Sequence, residues 1–181
     1  MDKEGQARPL VAKEEKIVVT GKTPADFVSR GITPMQSASL LLILVAGISI
    51  YGIRRGKTLW DIDLILFLVA GMAGCILAFL ALFSQHPAVS PNYILFVFHP
   101  FHLFCLPFML SRVRKREISR YMLVNFAVLT LFIGLWAIIP QRIPPAILPL
   151  ALCLLIRSAS NLILTCLLYT SPSPRDVEES R

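Results

Sequence analysis

All three histidines of the chain fall within FSQHPAVSPNYILFVFHPFHLF, residues 83–104. Imidazole can move a proton near neutral pH or bind a metal, so chemistry is first sought here. His99 and His102 are three residues apart, which puts them on one face of a helix, and Cys105 continues that face. The three residue types suit a metal. A metal site also needs ligands from a second element, however, and no other apolar segment offers a histidine or carboxylate near that depth. A bis-histidine haem would require facing histidines on two helices. No metal, haem or other cofactor is therefore expected, and no catalytic residue is assigned. Pro100, between the two histidines, withholds a backbone N–H, so a histidine has a structural task available at the kink, satisfying a nearby carbonyl. His86 sits in the preceding polar hinge, where Pro87 and Pro91 stiffen the link and Asn92 can cap the helix that follows. Cys75, Cys105 and Cys153 lie on different apolar segments without a C-x-x-C pair and read as small hydrophobes.

The elements that must position these groups are set by composition. Hydrophobic residues make up 55% of the chain and charged residues 16%, with a mean hydropathy of +0.68. That is more apolar surface than one small core can hide from water, so the solvent must be lipid. The apolar residues gather into five blocks, each long enough to cross about 30 Å of hydrocarbon. They run from about Pro34 to Ile53, Leu64 to Ser84, Asn92 to Leu110 and Tyr121 to Ile139, with a fifth after PQRIPP that extends past Arg157. None alternates with a strand's period. The fold class expected is all-α, an integral membrane bundle of five transmembrane helices behind a short N-terminal extracytoplasmic segment. Ionisable groups inside such spans are suspects for function, which keeps His99 and His102 open as lipid or substrate contacts beside their structural reading.

Basic residues give the orientation. The loops after the first and third spans hold Arg54, Arg55, Lys57, Arg112, Arg114, Lys115, Arg116 and Arg120, whereas the other two short loops hold Arg142. Basic loops stay in the cytoplasm, so the N-terminus and the histidine hinge should face outward and the C-terminus inward. The net charge of +7 thus serves topology, and nucleic acid is not an expected partner. Asp61 and Asp63, beside Trp60, read as an interfacial belt at a helix N-terminus with no visible acid/base partner. Arg157, deep in the fifth span, should find a partner or snorkel. The small residues of AGMAG, 70–74, should let the second helix approach a neighbour closely.

The two ends differ from the middle. Residues 1–32 carry two strand-like pieces, RPLVA and KIVVT, around a charged turn, and no apolar stretch of signal-peptide length. They read as the remnant of a larger periplasmic domain with a juxtamembrane linker. Residues 33–165 form the five-helix domain. CLLYTSPSPRD, at 166–176, resembles a translated transposase-type sequencing adapter, and residues 166–181 are expected to be an artefact without fixed structure.

The five spans, the outward junction and the hinge SQHPAVSPN followed by FHP resemble the C-terminal membrane domain of Lnb-type lipoprotein N-acyltransferases of Bacteroidota. The sharpest matches are Ser84, His86, Pro87, Asn92 and Pro100; His99 departs from the family's usual polar residue. The resemblance implies a five-helix anchor in the bacterial inner membrane, carrying a periplasmic catalytic domain of the same chain. The reaction implied is transfer of an acyl chain to the N-terminal amine of a lipoprotein cysteine. On that reading His86, Asn92, His99 and His102 are lipid or substrate contacts, the partners are membrane lipids and a lipoprotein, and the fragment alone is inactive. A non-catalytic scaffold and a small transporter subunit are the alternatives, the latter disfavoured by few polar intramembrane residues and no inverted repeat.

Overall fold

A computed structural model describes residues 31–84 and 91–170, with side chains to 167. His86, the two strand-like pieces and the tail beyond 170 lie outside the described residues. What is described is helical. Helix α1 (Pro34–Arg55) opens with a capping box, Thr33 and Gln36 exchanging side-chain and backbone bonds, and Pro34 at its first position; that proline loses nothing there, since its missing N–H would have no helical partner. Helix α2 (Trp60–Phe83) spans 24 residues, about 36 Å. A 3-10 turn (Tyr93–Phe96), α3 (Phe101–Phe104) and α4 (Leu106–Arg114) follow, then α5 (Arg120–Gly134) and α6 (Ile147–Thr170).

Side chains are sorted opposite to a water-soluble protein. Leu40, Ile43, Ile65, Phe79, Phe108 and Leu131 are exposed, whereas Asp63, His102, Asn125, Arg157 and Ser158 are buried. In lipid the outer surface may stay apolar without cost, and polar groups must find each other inside. Helices α1 and α5 each bury a narrow stripe: Ala38, Val45, Ser49 and Gly52 on α1, and Met122, Asn125, Leu129 and Phe132 on α5. Those spacings of three, four and seven follow the helical repeat. Helix α6 packs mainly against α1 and α5, and α2 against α3 and α4. The apolar core is centred on Phe67, Val97, Met109, Met122, Leu129 and Leu154.

The expected third span, Asn92 to Leu110, is not one straight helix. Pro100 and Pro107 bracket the four residues of α3, and the chain bends by 75° between Tyr93–Phe104 and Leu106–Arg114. Each proline lacks an amide hydrogen and crowds the preceding turn, so a continuous ladder cannot form through this stretch. The expected fourth span is also shortened: α5 has 15 helical residues, about 22 Å, and gives way to turns after Gly134. Among the described residues three helices, α1, α2 and α6, are by length and composition able to cross a membrane, or four if the bent pair is one span. The other end needs a correction as well. Residues 166–170, expected to lack structure, continue α6, because Cys-Leu-Leu-Tyr extends the apolar run and offers no helix breaker.

The glycines of AGMAG meet the break directly. A Cβ on Gly71 would lie 2.6 Å from the Leu103 amide nitrogen, and one on Gly74 would lie 2.6 Å from the His99 carbonyl carbon. Only hydrogen fits at either place, so α2 and the broken segment touch backbone to backbone.

Both arginine-rich connectors gather at one end of the bundle. Gly56, at φ 60°, closes α1 by a Schellman turn in which Gly56 N–H reaches Ile53 O and Lys57 N–H reaches Gly52 O. Arg116, at φ 56°, closes α4 in the same way, its N–H to Val113 O and that of Glu117 to Arg112 O. The Arg114 guanidinium stands 3.7 Å over the Trp60 ring, joining the second connector to the start of α2. At the opposite end, Gln141 Oε1 accepts from Tyr93 N–H at 2.7 Å.

Candidate functional site

The polar residues buried between the helices form two adjoining groups. The first is built where α3 breaks. His102 is fully buried, and its Nε2 lies 2.8 Å from Val97 O. A carbonyl accepts only, so Nε2 carries the hydrogen and donates. In the neutral ring Nδ1 is then an acceptor, and the Tyr121 hydroxyl donates to it at 2.6 Å. The His99 ring stacks on His102 with centroids 3.9 Å apart, and Phe67 meets His102 edge-on at 5.2 Å. Helix α2 thus supplies the wall, the proline break aims the two imidazoles, and α5 supplies the phenol. His99 lies beside Asn125; its Nδ1 and Asn125 Oδ1 are buried without a hydrogen bond, while Asn125 Nδ2 donates to Ser158 Oγ at 2.9 Å.

The second group lies nearer the basic connectors. Arg157 of α6 and Asp63 of α2 are 1% and 0% exposed and form a two-pronged ion pair, Nε to Oδ1 at 2.7 Å and Nη2 to Oδ2 at 3.1 Å. Arg157 Nη1 donates to Ser49 Oγ of α1 at 3.0 Å, and Nη2 reaches Leu59 O at 3.4 Å. Asn161, one turn along α6, donates from Nδ2 to Asp63 Oδ2 at 2.9 Å. The fork of a guanidinium matches a carboxylate, which is why this pair closes on itself inside the bundle. Three helices meet at one neutralised charge. Where α2 has little direct packing on α6, this node holds them together.

The sequence-derived residues divide accordingly. His99 and His102 do not share a helix face as expected, since His99 lies outside any helix, ahead of α3; their rings nevertheless stack, and His102 caps the carbonyl at the kink. Asn92 caps the 3-10 turn, its Oδ1 accepting from Ile94 N–H at 3.2 Å. The eight basic residues assigned to topology are exposed. Cys75, Cys105 and Cys153 form no disulfide, and among the described residues no three His, Cys, Asp or Glu side chains converge. Asp63 overturns the expectation of an interfacial carboxylate without a partner: Asp61 faces outward and fits the belt, whereas Asp63, two residues on, turns into the bundle. Tyr121, Asn125, Ser49 and Asn161 were not singled out from sequence. The available signal was Arg157 itself, a buried cation that demands a carboxylate at equal depth.

A family model for the Lnb transmembrane domain matches residues 26–167. No curated protein and no solved structure matches the chain.

Proposed function

Because the chain belongs to the Lnb transmembrane-domain family, we propose that it is the membrane part of a lipoprotein N-acyltransferase of the bacterial inner membrane, with the hinge facing the periplasm and the basic connectors the cytoplasm. Its task is to hold an acyl-transferring domain over substrates whose chains remain in the bilayer, which turns an encounter between two membrane-bound partners into a positioned one. The observation that carries this reading is the commitment of the buried polar groups to the fold. Asp63 neutralises Arg157, and His102 uses both ring nitrogens on Val97 and Tyr121. A catalytic acid or base would need that capacity for substrate. Of the suspected lipid contacts, His99 has a buried Nδ1 without a hydrogen-bond partner, and Asn92 caps the 3-10 turn.

The test is lipoprotein N-acylation in a host lacking that activity, read as the mass of the released N-terminal lipopeptide. A chain joining this membrane part to an Lnb periplasmic domain should restore the added acyl chain, and residues 31–170 alone should not. Acylation by the membrane part alone would overturn the assignment.

A further inference from the structure

Beyond anchoring, the basic end of the bundle contains a site to which no role has been given. Between the end of α4 and the start of α5 opens a cleft of about 1070 Å³, walled by Phe108, Arg112, Lys115, Ile118 and Arg120 among others. Helix α4 is two-faced. Leu106, Met109 and Val113 are buried in the core, while Phe108, Ser111, Arg112 and Lys115 recur at three- and four-residue intervals along its exposed side and turn to the cleft. Such a helix suits the boundary between hydrocarbon and headgroups.

The charges in the cleft do not balance. Three cations, Arg112, Lys115 and Arg120, face one carboxylate, Glu117, which is already paired with Arg112. The Schellman turn at Arg116 draws the two helix ends together and directs the cations into one space. Beside them, Phe108 is 77% exposed and Ile118 is 48% exposed. Cations and aliphatic or aromatic surface in one opening match a molecule with an anionic head and apolar chains. We propose that the cleft binds an anionic phospholipid, its phosphate among Arg112, Lys115 and Arg120 and its chains along Phe108 and Ile118. The site is separate from the acyl-transfer reading and does not depend on it.

The full chain in nanodiscs of zwitterionic phosphatidylcholine, titrated with phosphatidylglycerol and followed by native mass spectrometry, tests the site. Phosphatidylglycerol should be retained about tenfold more strongly than phosphatidylcholine. Changing Arg112, Lys115 and Arg120 together to Gln should abolish that preference, as should Ser111→Asp, an exposed substitution that puts an anion in the cleft without removing a contact. Changing Arg54, Arg55 and Lys57 to Gln, with an equal loss of charge at the other connector, should leave it intact. Equal losses from both triple variants would mean diffuse surface attraction and would overturn the site. So would an unchanged preference in Ser111→Asp, or displacement of the lipid by millimolar inorganic phosphate, which would mark a plain anion site.

Discussion

Asp63 and Arg157 show how a single side chain changes meaning with its neighbours. A charge at the centre of a span costs about 2.5–3.5 kcal/mol to insert, and pairing inside the bundle offsets that only while both partners are present. Asp63→Leu, which leaves Arg157 buried and alone, should destabilise the domain by about 3–5 kcal/mol, whereas the double variant Asp63→Leu/Arg157→Leu should recover most of the loss. Heating in detergent followed by fluorescence-detected size exclusion will check this: the single variant should lose its monodisperse peak well below the temperature of the double one. An equal loss in both would mean that the pair holds the helices by more than mutual neutralisation. The sequence left Arg157 either to find a partner or to snorkel, and did not name the partner. Asp61 and Asp63 are near-identical choices in one dimension, and the rotation of α2 alone separates them.

At the level of elements, hydropathy located all five apolar segments but not their continuity. An apolar run through Pro100 and Pro107 averages like any other, because hydropathy is blind to a missing amide hydrogen. The proline rule foretold a kink, and the small-residue run foretold a close approach. That the two coincide, with Gly71 and Gly74 lying on the broken backbone, required the third dimension. Gly71→Ala and Gly74→Ala should therefore each lower the melting temperature, since the new methyl meets backbone at 2.6 Å. Gly47→Ala, in α1 with nothing within 4 Å, should be neutral or stabilise by up to about 1 kcal/mol through helix propensity. Matched melting curves for the three variants decide it, and equal responses would contradict the close contact. The shortening of α5 had its own warning in Gly134, which ends the helix where the apolar run continues to Ile139.

For the molecule as a whole, class and partition of charge were legible from composition, since a chain this apolar has no other way to fold than with its polar groups inward. The arrangement of those groups was not, because hydrogen bonds between distant segments leave no periodic trace. The sidedness of the basic end is testable directly. With the native cysteines changed to Ala, a maleimide that cannot cross membranes should label Arg142→Cys in spheroplasts, and Lys57→Cys only after permeabilisation. The reverse pattern would invert the proposed topology.

The node of Ser49, Asp63, Arg157 and Asn161 lies close to the arginine-rich turns, and among the described residues the far end is cross-linked by Tyr93 and Gln141. Mechanically this makes a strut pinned at both ends by different means, buried charge at one and backbone contact and hydrogen bonds at the other. Sideways strain that draws α2 from α6 would strand Arg157 without its carboxylate, and that penalty resists parting where the two helices otherwise pack little.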